Sequence, residues 1–221
     1  MLIAIDGTGC ADQEEYDKEM KNSFVHQLIR NYMGGEKYYL RGPTMAGLEC
    51  KNIRDYSLGW AAKAVTHEDS LDLAGYSRGG AIAIAIAQEV AHKFPNAKIR
   101  VMALFDAVDR EMWFGDLSTI PANVGYAFHA LRDPIVQSRM YFENCGLKAD
   151  PPCTLKTLTF VTTHAGMGGV PLGKIPLLPP LELVPEKLLM NKYVGPDTER
   201  LQSRLVHQWM WANLRKIGVV H

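Results

Sequence analysis

The ten residues Leu71-Asp72-Leu73-Ala74-Gly75-Tyr76-Ser77-Arg78-Gly79-Gly80 constrain this chain more than any others. An apolar, strand-like run passes through Gly-x-Ser-x-Gly straight into an Ala-rich helical pattern. A serine on so tight a strand-to-helix turn projects its hydroxyl outward, and its neighbours must be nearly free of side chains. The turn also places Ser77 at a helix start, where the N–H of Arg78 can donate to a developing oxyanion. A chance pentapeptide or a helix-capping serine is the plainer reading. The strand before and the helix after favour a nucleophile.

Around this segment the chain alternates between two periodicities. Strand-like runs occur at Leu2 to Ile5, Lys37 to Leu40, Ser70 to Ala74, Ile99 to Phe105 and Leu158 to Thr163, each stopped by Gly, Asp or a polar turn. Between them, Glu19 to Met33, Cys50 to Val65 and Arg78 to Phe94 are long enough for helices, and a last helix runs from about Asp197 to Ile217 with Leu201, Leu205, Trp209 and Leu214 on related turns. Alternating strand and helix predicts an α/β fold: one domain over residues 1–221, a mostly parallel sheet with helices on both faces. Residues 166–196 mix Gly, Pro and large aliphatics, and read either as a cover over an apolar acyl site or as a packed connection.

A serine hydroxyl is a poor nucleophile at neutral pH, so a histidine must take its proton and an acid should orient that histidine. Asp106 ends the strand that follows the elbow unit and is the first choice of acid, with Asp109 and Asp133 as alternatives and an Asx turn as the structural explanation. Leu158 to Thr163 delivers His164 into a loop with Gly166, Gly168 and Gly169, which makes it the first choice of base. His129 is the rival. His26, His67, His92 and His207 fall on helical patterns and His221 is terminal. A second oxyanion donor is expected after the first strand, from the N–H of Gly7 or Thr8 or the Thr8 hydroxyl.

The composition bounds the alternatives. The 24 basic and 24 acidic residues cancel and no dense basic run occurs, which argues against nucleic acid as partner. The N-terminus has no basic and apolar regions of an export signal, and no apolar run approaches the roughly 20 residues of a membrane span. A cytoplasmic protein is expected, or one exported without a classical signal. Cysteine spacing suggests no metal site, and only Cys145 and Cys153, which bracket a Pro-containing loop, are placed to pair in an oxidising compartment. The scheme needs no cofactor or metal, and the oligomeric state is open.

Two other readings are weaker. Asp6-Gly7-Thr8 is similar to the end of a phosphatase signature, but Ala4 stands where the nucleophilic aspartate belongs, and no phosphate-loop motif is present. A non-catalytic binding module on a degenerate hydrolase scaffold stays open as the alternative.

Several of these segments resemble the α/β-hydrolase family that includes the catalytic domains of type VI secretion phospholipase effectors. The resemblance spans most of the chain as scattered motifs. An N-terminal strand ending Asp-Gly-Thr is matched by Asp6 to Thr8, an elbow Gly-aromatic-Ser-Arg-Gly by Gly75 to Gly79, and an Asp-Thr-Val-like strand end by Phe105 to Val108. A later Ala-Leu-x-Asp segment is similar to Ala130 to Asp133, followed by Arg139 and Phe142. In the His-containing loop, Gly166 stands where the family usually has aspartate. The resemblance implies a compact α/β-hydrolase fold and hydrolysis of esters or lipids, phospholipids among them.

Overall fold

The structure, a computed structural model, describes residues 1–67, 70–109, 114–136, 143–170 and 194–221. Six strands form the central sheet: β1 (Leu2–Ile5), β2 (Lys37–Leu40), β3 (Leu71–Tyr76), β4 (Ile99–Phe105), β7 (Val124–Arg132) and β10 (Thr154–Phe160). Their order is β10-β7-β4-β3-β1-β2 and every neighbouring pair is parallel. Parallel neighbours need crossovers, and helices supply those that join β1 to β2, β2 to β3 and β3 to β4. The expected α/β class therefore holds.

Side-chain alternation divides the core in two. On one face Ile3, Ile5, Leu71 and Leu73 pack with α3 (Cys50–Thr66) and α4 (Arg78–Lys93). On the other, Leu2, Ala4, Ala74 and Phe105 meet α2 (Phe24–Asn31) and the long C-terminal helix α6 (Pro196–Lys216). All residues of β1 and β3 are buried, which explains why they read as apolar without alternation, broken only by Asp72, whose carboxylate pairs with Arg100. Among the described residues, the remaining elements are α1 (Gln13–Met20), the short α5 (His164–Met167) and two small sheets, β5 (Val108–Asp109) with β8 (Glu143–Asn144) and β6 (Thr119–Ile120) with β9 (Lys148–Ala149).

Four expectations change. The helix read over residues 19–33 is two helices, because Ser23 caps α2 by accepting from the N–H of His26 at 3.0 Å. β7, absent from the strand-like runs read above, lies between β4 and β10; Gly125 and its alanines hide a strand that the sheet stabilises. β10 starts at Thr154 and ends at Phe160, so Thr163 is not in the strand but caps α5. In α6 the packed stripe is Val206, Met210, Trp211 and Leu214, whereas Leu201 and Leu205 are exposed.

Cys145 and Cys153 are thiols, not a bridge. Among the described residues no helix is long and apolar enough to cross a membrane. The cover expected over residues 166–196 falls mainly on 171–193, outside the described residues, as do Arg139 and Phe142.

Candidate active site

The site forms at the carboxyl ends of β1, β3 and β4. Ser77 adopts φ 57° and ψ −129°, a left-handed backbone that side-chain-bearing residues rarely accept. Surrounding contacts hold it there: its N–H donates to the carbonyl of Phe105 at 3.0 Å, and its own carbonyl accepts from Gly80 at 2.9 Å and Val108 at 3.2 Å. The elbow glycines are required by close backbone approach. A Cβ at Gly79 would stand 2.3 Å from the carbonyl oxygen of Ile5, and one at Gly75 2.3 Å from that of Gly79.

Ser77, His164 and Asp106 come together from three elements. Oγ of Ser77 lies 2.8 Å from Nε2 of His164, and Nδ1 of His164 lies 2.7 Å from Oδ2 of Asp106. Asp106 also has a left-handed backbone, with φ 45°, directly after β4. Its carboxylate is wholly buried. Burial alone would raise its pKa, but the His164 bond and charge, the Arg132 charge and the Asn144 bond outweigh burial and hold it far below the usual carboxylate range.

Asn144 and Arg132 escaped the sequence reading. Nδ2 of Asn144 donates to Oδ1 of Asp106 at 2.9 Å and to the Ala107 carbonyl at 3.1 Å, because β8 pairs with β5 just beyond the acid. The backbone N–H of Arg132 donates to the same Oδ1 at 3.2 Å. Both arrive through pairings distant in sequence, and no local motif marks them.

The structure places the rival residues elsewhere. His129 is fully buried; its Nε2 accepts from the N–H of Ala107 at 3.0 Å, and its Nδ1 donates to the Gly146 carbonyl at 3.2 Å. Burial pushes its pKa down to about 4, so at neutral pH it is an uncharged brace beside Asp106. Oδ1 of Asp133 accepts from the N–H of Ile135 at 2.9 Å, an Asx turn. Asp109 lies on β5, and the bond to His164 goes to Asp106.

On the opposite side of Ser77, the loop after β1 is tightly tied. The N–H of Gly7 donates to Oδ1 of Asp6 at 2.9 Å, so Asp6 already engages one of the two expected amides. Burial pushes Asp6 up to about 6, against hydrogen bonds from Ser23, Gly7 and Tyr39 that lower it. The Tyr16 hydroxyl donates to the Gly7 carbonyl at 2.8 Å and accepts from the N–H of Gly42 at 2.6 Å. Oγ1 of Thr8 accepts from Nη1 of Arg78 at 3.1 Å, which leaves the hydroxyl proton of Thr8 available to another acceptor. Arg78 Nη1 also donates to the carbonyls of Thr44 and Met45 at 3.1 and 3.2 Å, so this buried side chain joins the β1 and β2 loops. Its backbone N–H is the first of α4, where no preceding helical carbonyl is available.

The His164 loop is fastened to α6. Thr163 caps α5 by accepting from the N–H of Gly166 at 3.1 Å and donates its hydroxyl to the buried Glu199 carboxylate. Ser203 donates to the Gly166 carbonyl at 2.7 Å, and the Tyr76 hydroxyl donates to the His164 carbonyl at 2.9 Å. A Cβ on Gly166 would meet Oγ1 of Thr162 at 2.1 Å. Packing thus leaves no room for a side chain at Gly166.

The geometry can pass a proton from a serine hydroxyl to an imidazole whose far nitrogen is fixed by a buried carboxylate. No family model matches the chain, and no curated protein matches it. Among solved structures it is similar to an uncharacterized protein from Pseudomonas aeruginosa, at 12% sequence identity and a TM-score of 0.47, over 77% of this chain and 41% of that one. This chain therefore spans less than half of that protein's length. At this distance the likeness adds nothing to the reading of the site.

Proposed function

We propose that this chain is a serine hydrolase that cleaves carboxylic esters, lipid esters among them, through an acyl-enzyme on Ser77. One observation carries the reading: the unbroken line from Ser77 Oγ to His164 Nε2 at 2.8 Å and from His164 Nδ1 to Asp106 Oδ2 at 2.7 Å. Serine, acid and histidine follow in that order along the chain, each at the end of a sheet strand or just beyond it.

In this scheme Oγ of Ser77 attacks the ester carbonyl carbon while its proton moves to Nε2 of His164. Asp106 keeps the Nδ1–H tautomer and stabilises the imidazolium. The N–H of Arg78 and the Thr8 segment receive the negative oxygen. Collapse expels the alcohol, which takes the proton from Nε2. Water, activated by the same imidazole, then attacks the acyl carbon, and Ser77 leaves with the proton returned to it.

The test is hydrolysis of p-nitrophenyl esters from acetate to palmitate by wild type and by folded Ser77→Ala and His164→Ala proteins. Turnover that disappears in both variants supports the proposal, and the preferred chain length separates esterase from lipase action. Turnover that survives in Ser77→Ala would refute it. A folded wild type that resists both the esters and a fluorophosphonate probe favours the binding-module alternative.

A further inference from the structure

We propose that Arg132 is a positioning residue that sets the pH range over which Ser77 is activated, by sharing the Asp106 carboxylate with His164. This rests on the hydrolase reading above. Its basis is the convergence of two groups on one oxygen: Nδ1 of His164 lies 2.7 Å and Nε of Arg132 3.5 Å from Oδ2 of Asp106. The guanidinium is fixed from its other end, where Nη1 donates to the carbonyls of Asp133 and Val136, each at 3.3 Å. Nε itself is buried and makes no hydrogen bond, so Arg132 acts on the carboxylate through charge. Side-chain exposure is 10% for Arg132 and nil for Asp106, so water screens this pair weakly.

The consequence follows from counting charges. In the resting site Arg132 compensates a carboxylate that no solvent reaches. When Nε2 of His164 takes a proton, the imidazolium must share that carboxylate with a cation already present. Arg132 therefore opposes protonation of the base and keeps it able to accept the Ser77 proton in more acidic solution. It also withholds part of the stabilisation that the imidazolium would otherwise receive during acyl transfer.

Other ionisable side chains on the surrounding elements have different partners. Tyr76 on β3 bonds the His164 carbonyl, Arg78 on α4 bonds Thr8, Asp133 after β7 bonds Ile135, and Glu199 on α6 bonds Thr163, while His129 on β7 is uncharged at neutral pH and held by Ala107 and Gly146, and burial keeps the Cys145 thiol protonated. Asp6 at the end of β1 binds Ser23, Gly7 and Tyr39. Asp109 on β5 and Glu143 on β8 flank the acid's strand end, paired in register with each other. Among the described residues, Arg132 and His164 are the cationic groups in ion-pair reach of Asp106.

The experiment compares the pH dependence of kcat/KM on a short p-nitrophenyl ester for wild type, Arg132→Gln and Arg132→Lys. Loss of the charge should move the acid limb upward by about half a pH unit or more, with the alkaline plateau changed by no more than about threefold. Arg132→Lys, which keeps the charge, should restore the wild-type limb. A purely structural arginine would lower the rate at every pH and leave the limb in place, and that result would overturn the proposal. If Arg132→Gln does not fold, Arg132→Met keeps the buried stem and takes its place. NMR titration of the His164 ring in folded Ser77→Ala, with and without the Arg132 substitution, reads the same change without turnover. A protein that hydrolyses no ester would sink the hydrolase reading while this titration still decides the role of Arg132.

Discussion

The guanidinium of Arg78 donates to Oγ1 of Thr8 at 3.1 Å, so the residue after the elbow serine holds the loop on the far side of the site. The same side chain reaches the carbonyls of Thr44 and Met45. Arg78→Gln keeps the backbone N–H at the start of α4 but releases these loops. Removing one direct oxyanion donor costs about 100-fold or more in kcat, so disordering the segment proposed to carry a donor should cost on the order of tenfold, with KM changed less. Steady-state kinetics on a p-nitrophenyl ester checks this. An unchanged kcat would mean that the Thr8 segment takes no part in catalysis.

Ser77 gives a prediction of opposite sign for stability. Its φ of 57° places a side-chain-bearing residue where glycine is at ease. Such a conformation costs about 1–3 kcal/mol, and the Phe105 and Val108 backbone bonds that enforce it do not depend on the side chain. Ser77→Gly should therefore be inactive but at least as stable as wild type, and up to about 1 kcal/mol more stable after its extra unfolded-state entropy is counted. Urea denaturation measures the difference. A clear loss of stability would show that the serine hydroxyl contributes more to the fold than the strained backbone costs.

How much of this site the sequence displays depends on how local each signal is. The elbow is written in consecutive residues, and Asp106 and His164 stand next to apolar runs that become strands, so periodicity and chain order locate all three. Asn144, Arg132 and Glu199 reach the site only through strand pairing or helix docking, which no spacing rule records. β7 was hidden for the same reason: its nine residues include three alanines or glycines, and its place between β4 and β10 supplies the stability that local propensity lacks. The engagement of the Gly7 N–H by the carboxylate of the preceding aspartate is likewise a matter of side-chain placement that spacing does not record.

Gly166 should behave as a packing glycine. The Cβ of alanine would stand 2.1 Å from Oγ1 of Thr162, a buried side chain, so Gly166→Ala forces Thr162 and α5 apart and should carry His164 from its present position. Overpacking of this kind costs about 1–3 kcal/mol, and the displaced imidazole should lower kcat. Thr162→Ala removes the obstructing oxygen, whose bond to the Glu199 carbonyl is long at 3.4 Å. The double variant should recover part of both losses, giving a coupling energy of about 1 kcal/mol or more in a double-mutant cycle. Strict additivity would mean that Thr162 is not what makes glycine necessary.

Two buried groups should pull stability in opposite directions as the solution is acidified. His129 has a folded pKa pushed down to about 4 from 6.5, so between these values the unfolded chain binds the extra proton and stability falls as pH falls. Asp6 is pushed up to about 6 from 3.8, so over nearly the same window the folded protein binds the extra proton and stability rises as pH falls. A tenfold difference in proton affinity between the folded and unfolded chain corresponds to about 1.4 kcal/mol, and the two contributions nearly cancel. Replacing Asp6 with Asn leaves His129 unopposed. Relative to wild type, Asp6→Asn should lose about 2–3 kcal/mol more between pH 6.5 and pH 4, with most of the divergence below pH 6. Asp106 enters lower, because its folded pKa is depressed and its contribution is lost as pH falls from about 4 downward. Urea midpoints measured for both proteins at half-unit steps from pH 7 to pH 4 give the comparison directly. Parallel curves would mean that Asp6 is ionised in the folded protein throughout, with Ser23, Gly7 and Tyr39 compensating fully for its burial.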